Sequence, residues 1–409
     1  MAALLVAWMA FTWKGRQAAS LASVGLRTLG RRWGTSFVIV IGIAGVTAVL
    51  VAMLAMAHGY RETLRRTGSA DVAIVLRGGS SAEVMSVLRQ QDTALIADAP
   101  GVARDRQGQP LASAETIASV DLPLKGGNPD IDIGSVQLRG VGESAWRLRT
   151  NARVVEGRRF RPGTYELMVG SGARAHFAGL DVGKEIKLAN QVWKIVGEFS
   201  TRDALDSEIW TDVKTLGDVY RRGSSVSTVI ARLENAAAYD GFRKSLQSNP
   251  RLSVSVETTE SYFGRQSQET IRVITVLAML VGAIMAIGAS FGCLNTMYAA
   301  IENRSREIAT LRAIGFGGMP VVVAILLEAM SLALIGGLLG GAIAWSFFDG
   351  NTASTLAAGT TGQLTFQFDT APAVLWTGVK WALAIGFFGG LYPALRAAQG
   401  SVVAALRES

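Results

Sequence analysis

Apolar residues gather in four long runs, and between the first and second of these the pattern changes to short alternating segments. Ser36 to Ala57 carries no Asp, Glu, Lys or Arg. Val273 to Ile301 is equally uncharged and longer. Met319 to Phe348 holds one charge, Glu328, and Ala371 to Tyr392 holds one, Lys380. About 20 apolar residues wound as a helix cross about 30 Å of hydrocarbon, so each run predicts a transmembrane helix. Met1 to Trp13 is apolar but too short to span. It has neither the basic start nor the small-residue cleavage site of a signal peptide, and it reads as an interfacial helix continuing into Leu21 to Trp33.

The segment 58–272 reads as a mixed domain. Ala70 to Arg77 alternates and predicts a strand. Ser81 to Gln91 has helical spacing at Val84, Val87 and Leu88, with Ser81 as its cap. Ser135–Val141, Glu166–Val169, Glu185–Ala189 and Val192–Phe199 predict short strands separated by Gly-containing turns. Val226–Leu233, Ala236–Gln247 and Leu252–Glu257 predict strand, helix, strand. A β-rich middle, 130–212, is thereby inserted into an outer strand–helix part. His58–Arg66 and Thr259–Arg272 predict helical stalks on either side. The predicted fold is an α-helical membrane protein of four transmembrane helices with a large extracytoplasmic α+β domain between helices 1 and 2.

Composition narrows the partners. Of 409 residues 49% are hydrophobic and 18% charged, which excludes a bundle buried entirely in lipid. The formal charge of +8 comes from scattered residues with no aromatic–basic stripe, so membrane lipid rather than nucleic acid is the expected partner. Cys293 is the single cysteine, so no disulfide forms within the chain; among small apolar neighbours it reads as an inert packing residue. Residues 1–35 hold Lys14, Arg16, Arg27, Arg31 and Arg32 and no acid, whereas 349–370 holds two Asp and no Lys or Arg. The positive-inside rule then puts both termini in the cytoplasm and the large domain outside. Arg61, Arg65 and Arg66 run against it, but large domains translocate largely regardless of charge.

Three patterns suggest chemistry and fail on context. Gly288-Ala-Ser290-Phe-Gly292 matches a nucleophile elbow, but it lies in an apolar run and the chain's histidines are His58 and His176. Gly170-Ser-Gly172-Ala-Arg-Ala175 lacks the repeated parallel context of a dinucleotide site and reads as a strand-to-helix turn. Gly179 to Glu185 has three residues between its glycines and Glu where a phosphate loop needs Ser or Thr, and reads as a turn. No catalytic, cofactor-binding or metal-ligating residue is expected; two separated His and one Cys make no ligand set.

The segment 302–318 is different. It is short, charged and helix-prone, and it joins two apolar runs on the cytoplasmic side. Its spacing predicts an amphipathic helix that presses Ile308 and Leu311 onto a partner, with Arg304, Arg306, Glu307 and Arg312 facing polar groups. Gly315, Gly317, Gly318 and Pro320 then break it. On physics alone an ordinary basic loop explains the segment as well.

Asn295 to Phe316 resembles the cytoplasmic coupling segment of the MacB/FtsX-like permeases of ABC transporters. Leu26–Arg32 resembles the N-terminal amphipathic helix of that family, and Val154–Phe160, Val169–Ala175 and Trp193–Phe199 resemble its periplasmic domain. Glu328 followed by Gly336-Gly-Leu-Leu-Gly-Gly341 resembles its third span, and Leu391–Ala398 with Val403–Arg407 its C-terminal end. The resemblance implies the membrane subunit of a type VII ABC transporter in a bacterial inner membrane. No nucleotide-binding domain precedes the first span, as it does in macrolide exporters, so ATPase activity, with ATP and Mg, is expected on a partner ABC ATPase dimer. The resemblance further implies a second permease, as homodimer or paralogue, and coupling through Glu302, Arg304, Arg306, Glu307, Ile308, Leu311, Arg312 and Gly315. The subunit would transmit ATP-driven motion to its periplasmic domain. The cargo and a periplasmic adaptor are left open. A membrane-anchored sensor is the alternative, but its cytoplasmic parts would be too small for an output domain.

Two packing expectations complete the picture. Small residues Gly282, Ala286, Ser290 and Gly292, with Gly42 and Gly45, predict subunit contact through spans one and two. Glu328 and Lys380 each lie nine residues into antiparallel runs, which puts both near mid-bilayer and predicts that they pair. The rival is a snorkelling Lys380 and a Glu328 that meets another donor.

Overall fold

The computed structural model describes residues 11–28, 33–356 and 363–399. Met1 to Ala10, Arg31, Arg32 and the Val403–Arg407 motif lie outside the described residues. The chain divides into two compact units, one of residues 1–58, 274–351 and 369–409, the other of 59–273 and 352–368.

The first unit is helical. Its elements are α1 (Trp13–Thr28), α2 (Trp33–Thr67), α3 (Thr259–Glu302), α4 (Ser305–Ala313), α5 (Gly318–Phe348) and α6 (Pro372–Gln399). Of these α2, α3, α5 and α6 are long and apolar enough to cross a membrane. Each is continuous with the apolar run it contains, and α2, α3 and α6 extend well into polar sequence, because the backbone ladder needs helix-compatible residues rather than apolar ones. The unit boundary falls inside α2, after His58, and inside α3, after Val273.

Ile43 of α2, Cys293 and Met297 of α3, Ile325 and Ala329 of α5 and Ile385 of α6 belong to one buried cluster. Glycines set how closely the helices approach. A Cβ on Gly336 would stand 2.9 Å from the Val40 carbonyl oxygen, and one on Gly337 2.7 Å from the Ala382 methyl. The Gly-Gly pair thus turns one residue to α2 and the next to α6. Gly389 meets Cys293 in the same way, and Gly282 meets Leu50. Gly282 thus faces Leu50 of the chain's own α2. Gly42 and Gly45 have nothing within 4 Å of a built Cβ.

The second unit is built on a ten-stranded sheet in the order β10-β1-β9-β2-β3-β8-β5-β7-β4, with β6 also on β7. The strands are β1 (Val72–Arg77), β2 (Ala112–Pro123), β3 (Ile133–Val141), β4 (Arg153–Gly157), β5 (Glu166–Gly170), β6 (Glu185–Leu188), β7 (Gln191–Ser200), β8 (Glu208–Asp212), β9 (Thr228–Arg232) and β10 (Val254–Thr258). β2 escapes the alternation signal because Ser113, Glu115 and Thr116 are buried along with its apolar residues. Its first half pairs with β9 and its second with β3. The β-rich middle is therefore continuous with the outer part rather than a separate insertion.

Two local expectations change. Ser81–Gln91 is not a helix: a 3₁₀ turn occupies Glu83–Met85, and the helix begins at Gln90. Leu88 is drawn into a bridge with Val226, its N–H donating to the Val226 carbonyl at 2.8 Å, and this tertiary pairing overrides the local spacing. The 349–370 segment carries a hairpin of β11 (Thr352–Leu356) and β12 (Gln363–Gln367). The hairpin belongs to the second unit, where the Thr365 N–H donates to Ser207 Oγ at 2.8 Å and Phe366 packs edge-on against Tyr60.

The rejected motifs are structural. Gly170 ends β5 against the Asp206 backbone, where no side chain fits. Gly179 and Gly183 turn the chain at φ 79° and 91°. Gly288 and Gly292 lie inside α3.

Candidate functional site

The junction between α3 and α5 gathers most of the residues singled out in the sequence. α3 ends at Glu302, and Arg304, at φ −114° and ψ 8°, redirects the chain into the nine-residue α4. Gly315, at φ 106°, closes that helix: the Phe316 N–H donates to the Leu311 carbonyl and the Gly315 N–H to the Arg312 carbonyl, both at 3.1 Å. This double bond pattern around a left-handed glycine is the Schellman stop, which explains why glycine stands there. α5 starts three residues later.

Arg304 also anchors the junction. Its Nη1 donates to Glu328 Oε2 on α5 at 3.0 Å, and its Nε lies 3.6 Å from Glu307 Oε2. The Arg304 and Glu328 side chains are only 15% and 11% exposed. Glu328 therefore meets Arg304, not Lys380, and the expected intramembrane pair is corrected. The helix register gives the reason. Gly337 faces Ala382 and Gly390 faces Ala329, so Glu328 stands level with about residue 391 of α6. Lys380 is then about 11 residues away, roughly 16 Å along the axis. Equal depths counted from the ends of the apolar runs misled because α6 continues past Tyr392 to Gln399.

Beneath α4 lies a cavity of about 140 Å³, lined by Leu21, Met297, Ile301, Ile308, Leu311 and Ile325 among others, with Arg304, Glu307 and Glu328 at its polar side. Ile308 packs against the chain's own buried cluster. This too is a correction: Ile308 and Leu311 face the chain's own helices. Glu302, Arg306, Glu307, Thr310 and Ile314 are exposed, while Arg312 is half-buried. The exposed side carries charges of both signs and the apolar Ala313 and Ile314.

A second charged constellation lies in the sheet unit, and sequence reasoning missed it. Arg139 on β3 is buried and donates to Glu208 on β8 through Nε and Nη2, both at 2.7 Å, to Glu115 on β2 at 2.9 Å, and to Glu83 at 3.1 Å. Arg149 donates to Glu115 at 2.6 and 2.8 Å. The Trp210 Nε1–H donates to Glu208 at 2.9 Å, and the Glu83 N–H to the Tyr262 hydroxyl at 3.2 Å. Burial alone would push the Glu115 carboxyl up, but the Arg149 and Arg139 guanidiniums outweigh it and hold it at about 2. Burial likewise opposes the Arg139 charge, and Glu208 and Glu83 hold its pKa well above the ordinary value. The signal available in the sequence was weak: Glu115, Arg139 and Glu208 each stand beside apolar residues in β2, β3 and β8, but β2 and β8 also carry Asp121 and Asp212. Every carboxylate is engaged by arginine, so the cluster ties strands together and offers neither a free base nor a metal site. Among the described residues no group of three or more His, Cys, Asp or Glu could hold a metal ion.

The profile of the MacB-like periplasmic core domain matches residues 34–249, and that of the FtsX-like permease C-terminal region matches 279–402. The macrolide export ATP-binding/permease protein MacB of Sodalis glossinidius is 28% identical over 393 residues, covering 90% of this chain and 57% of that protein. Its counterpart in Hahella chejuensis is 24% identical over 400 residues, covering 88% of this chain and 60% of that protein. The chain thus spans a little over half the length of these relatives. The crystal structure of the periplasmic region of MacB from Actinobacillus actinomycetemcomitans aligns with a TM-score of 0.36 at 14% identity, over 50% of this chain and 95% of that one. At that score it adds nothing to the assignment, which the two sequence profiles carry between them: the chain belongs to the MacB/FtsX-like family of ABC transporter permeases.

Proposed function

We propose that this chain is the membrane subunit of a bacterial inner-membrane ABC transporter and transmits ATP-driven motion to its sheet unit. ATP and Mg belong to an ABC ATPase dimer that docks on α4, and a second permease, identical or paralogous, completes the assembly. Both termini and α4 face the cytoplasm and the sheet unit the periplasm. The observation that carries this reading is α4 itself: a charged helix between two apolar ones, joined to α5 by the Arg304–Glu328 pair while Arg306, Glu307 and Ile314 stay exposed. A push on that face reaches α5 through the ion pair and α3 through the two-residue junction. α2 and α3 each contribute residues to both units, which is what a lever between them needs. Cargo of the export or extraction class, such as a lipoprotein, peptide, antibiotic or envelope component, fits the family. A sensor reading is not favoured, because the permease region 279–402 accounts for the residues a sensor would give to signalling.

The test is copurification. The tagged full chain, extracted from its native membranes, is expected to bring down an ABC ATPase identified by mass spectrometry. Glu307→Ala combined with Arg312→Ala should cut that recovery at least about tenfold, the effect of losing roughly 1.4 kcal/mol, with normal expression. Full recovery in the double variant would show that α4 is not the dock.

A further inference from the structure

α3 and α6 leave an apolar groove between them. Ala283, Ala286, Ile287 and Phe291 of α3 and Trp381 and Phe388 of α6 line it, and it encloses about 380 Å³. Ile287 and Phe291 are 59% and 66% exposed, so the groove faces away from the chain's own core. Lys380 is exposed on α6 and, among the described residues, no carboxylate forms an ion pair with it. It immediately precedes Trp381 and stands one turn before Ala384, both of which line the groove. Helical side chains lean toward the helix N-terminus, here Pro372, about 12 Å away along the axis. Trp376, one turn nearer that end, is 60% exposed, and tryptophan favours the membrane–water boundary. The groove is thus lined by apolar residues and Ser290, and Lys380 flanks it on α6 at the side toward Pro372.

We propose that this groove binds an anionic phospholipid of the surrounding bilayer, with an acyl chain between α3 and α6 and the headgroup phosphate on the Lys380 ammonium. The inference rests on the reading that α3 and α6 span a bilayer. Charge decides the occupant. An unpaired lysine in an apolar span needs a counter-charge or a path to the interface. The four apolar runs contain only two charges, Lys380 and Glu328, and Glu328 is engaged by Arg304. The spans of a second copy therefore bring no spare carboxylate, and pressing two such faces together would bring lysines together. A phosphate diester supplies the missing negative charge, and its acyl chain fills the groove that the helices leave.

The experiment uses the full chain in phosphatidylcholine nanodiscs doped with dibrominated phosphatidylglycerol or dibrominated phosphatidylcholine. Bromine quenches tryptophan on contact, and the fluorescence lost on Trp381→Phe identifies the groove's signal. The phosphatidylglycerol analogue is expected to quench that signal at about fivefold lower mole fraction, the preference one lysine confers toward an anionic lipid surface. Lys380→Gln should abolish the preference and leave quenching by the phosphatidylcholine analogue unchanged, whereas Lys380→Arg should retain it. Equal quenching by the two lipids in the unaltered chain, or a preference that survives Lys380→Gln, overturns the proposal. So does an unquenched Trp381 together with disulfide-linked dimers from Ile287→Cys in a Cys293→Ala background, which would place a second copy in the groove. If no brominated lipid quenches any tryptophan while aqueous iodide does, the membrane reading itself fails, and that result is distinct from loss of headgroup preference.

Discussion

Arg304 and Glu328 decide how the junction behaves. Removing one partner of a largely buried pair strands the other charge, which costs on the order of 3 kcal/mol. Arg304→Glu and Glu328→Arg should each lower the thermal midpoint of the full chain in detergent and weaken ATPase recovery. Combining them should restore more than half of the loss; a double variant as impaired as the worse single one would show that the pair is not the anchor. Asp203 gives a residue-scale prediction on pH. Burial raises its carboxyl from 3.8 to about 6, against hydrogen bonds from Thr201, the Leu205 N–H and Asn151. An acid with a raised folded pKa favours the folded state when protonated, so this stability is full below about 3.8 and is lost as pH rises through about 6. Two units correspond to roughly 3 kcal/mol at most. Asp203→Asn should therefore flatten the pH dependence of unfolding between about 4 and 6, followed by tryptophan fluorescence; an unchanged slope would assign that dependence to other groups. Glu115 acts with the opposite sign: its contribution is present above 4.5 and lost as pH falls toward about 2.

Among the elements, the helices follow directly from local sequence. Long uncharged runs leave the backbone no partner in lipid but itself, so they wind into helices whatever surrounds them. α4 stops where Gly315 permits the left-handed turn that closes it. Strands depend more on context. The first half of β2 and all of β8 mix buried polar with apolar residues, because Arg139 and Arg149 satisfy the buried Glu115 and Glu208. No alternation survives where both faces are buried, as in Glu115–Ala118 of β2 and throughout β8. Ser81–Gln91 has helical spacing, yet Glu83 is held by Arg139 from β3 and Leu88 by Val226, so contacts distant in sequence outweigh a weak local preference.

In the proposed assembly, the contact between permeases should use the span face that the chain itself leaves open. Gly282 and Gly389 are filled from within, whereas Gly42 and Gly45 face open space beside the exposed Val38, Ile41 and Val49. Close backbone approach is what such positions permit in lipid. Gly42→Cys in a Cys293→Ala background should form disulfide-linked dimers in native membranes while Gly282→Cys does not; monomers from both would remove support for this face. The sequence by itself determined four apolar helices, a charged helix between the second and third with its glycine stop, and most strands of the intervening domain. These follow from interactions within a few residues of one another and from the exclusion of charge from hydrocarbon. Only the tertiary structure decided that Glu328 meets Arg304 rather than Lys380, that Ile308 turns inward, that the segment after α5 pairs as two strands in the sheet unit, and that three glutamates share two buried arginines. Those outcomes depend on the register between packed helices and on strand order, and neither is written in the spacing of residues along one chain segment.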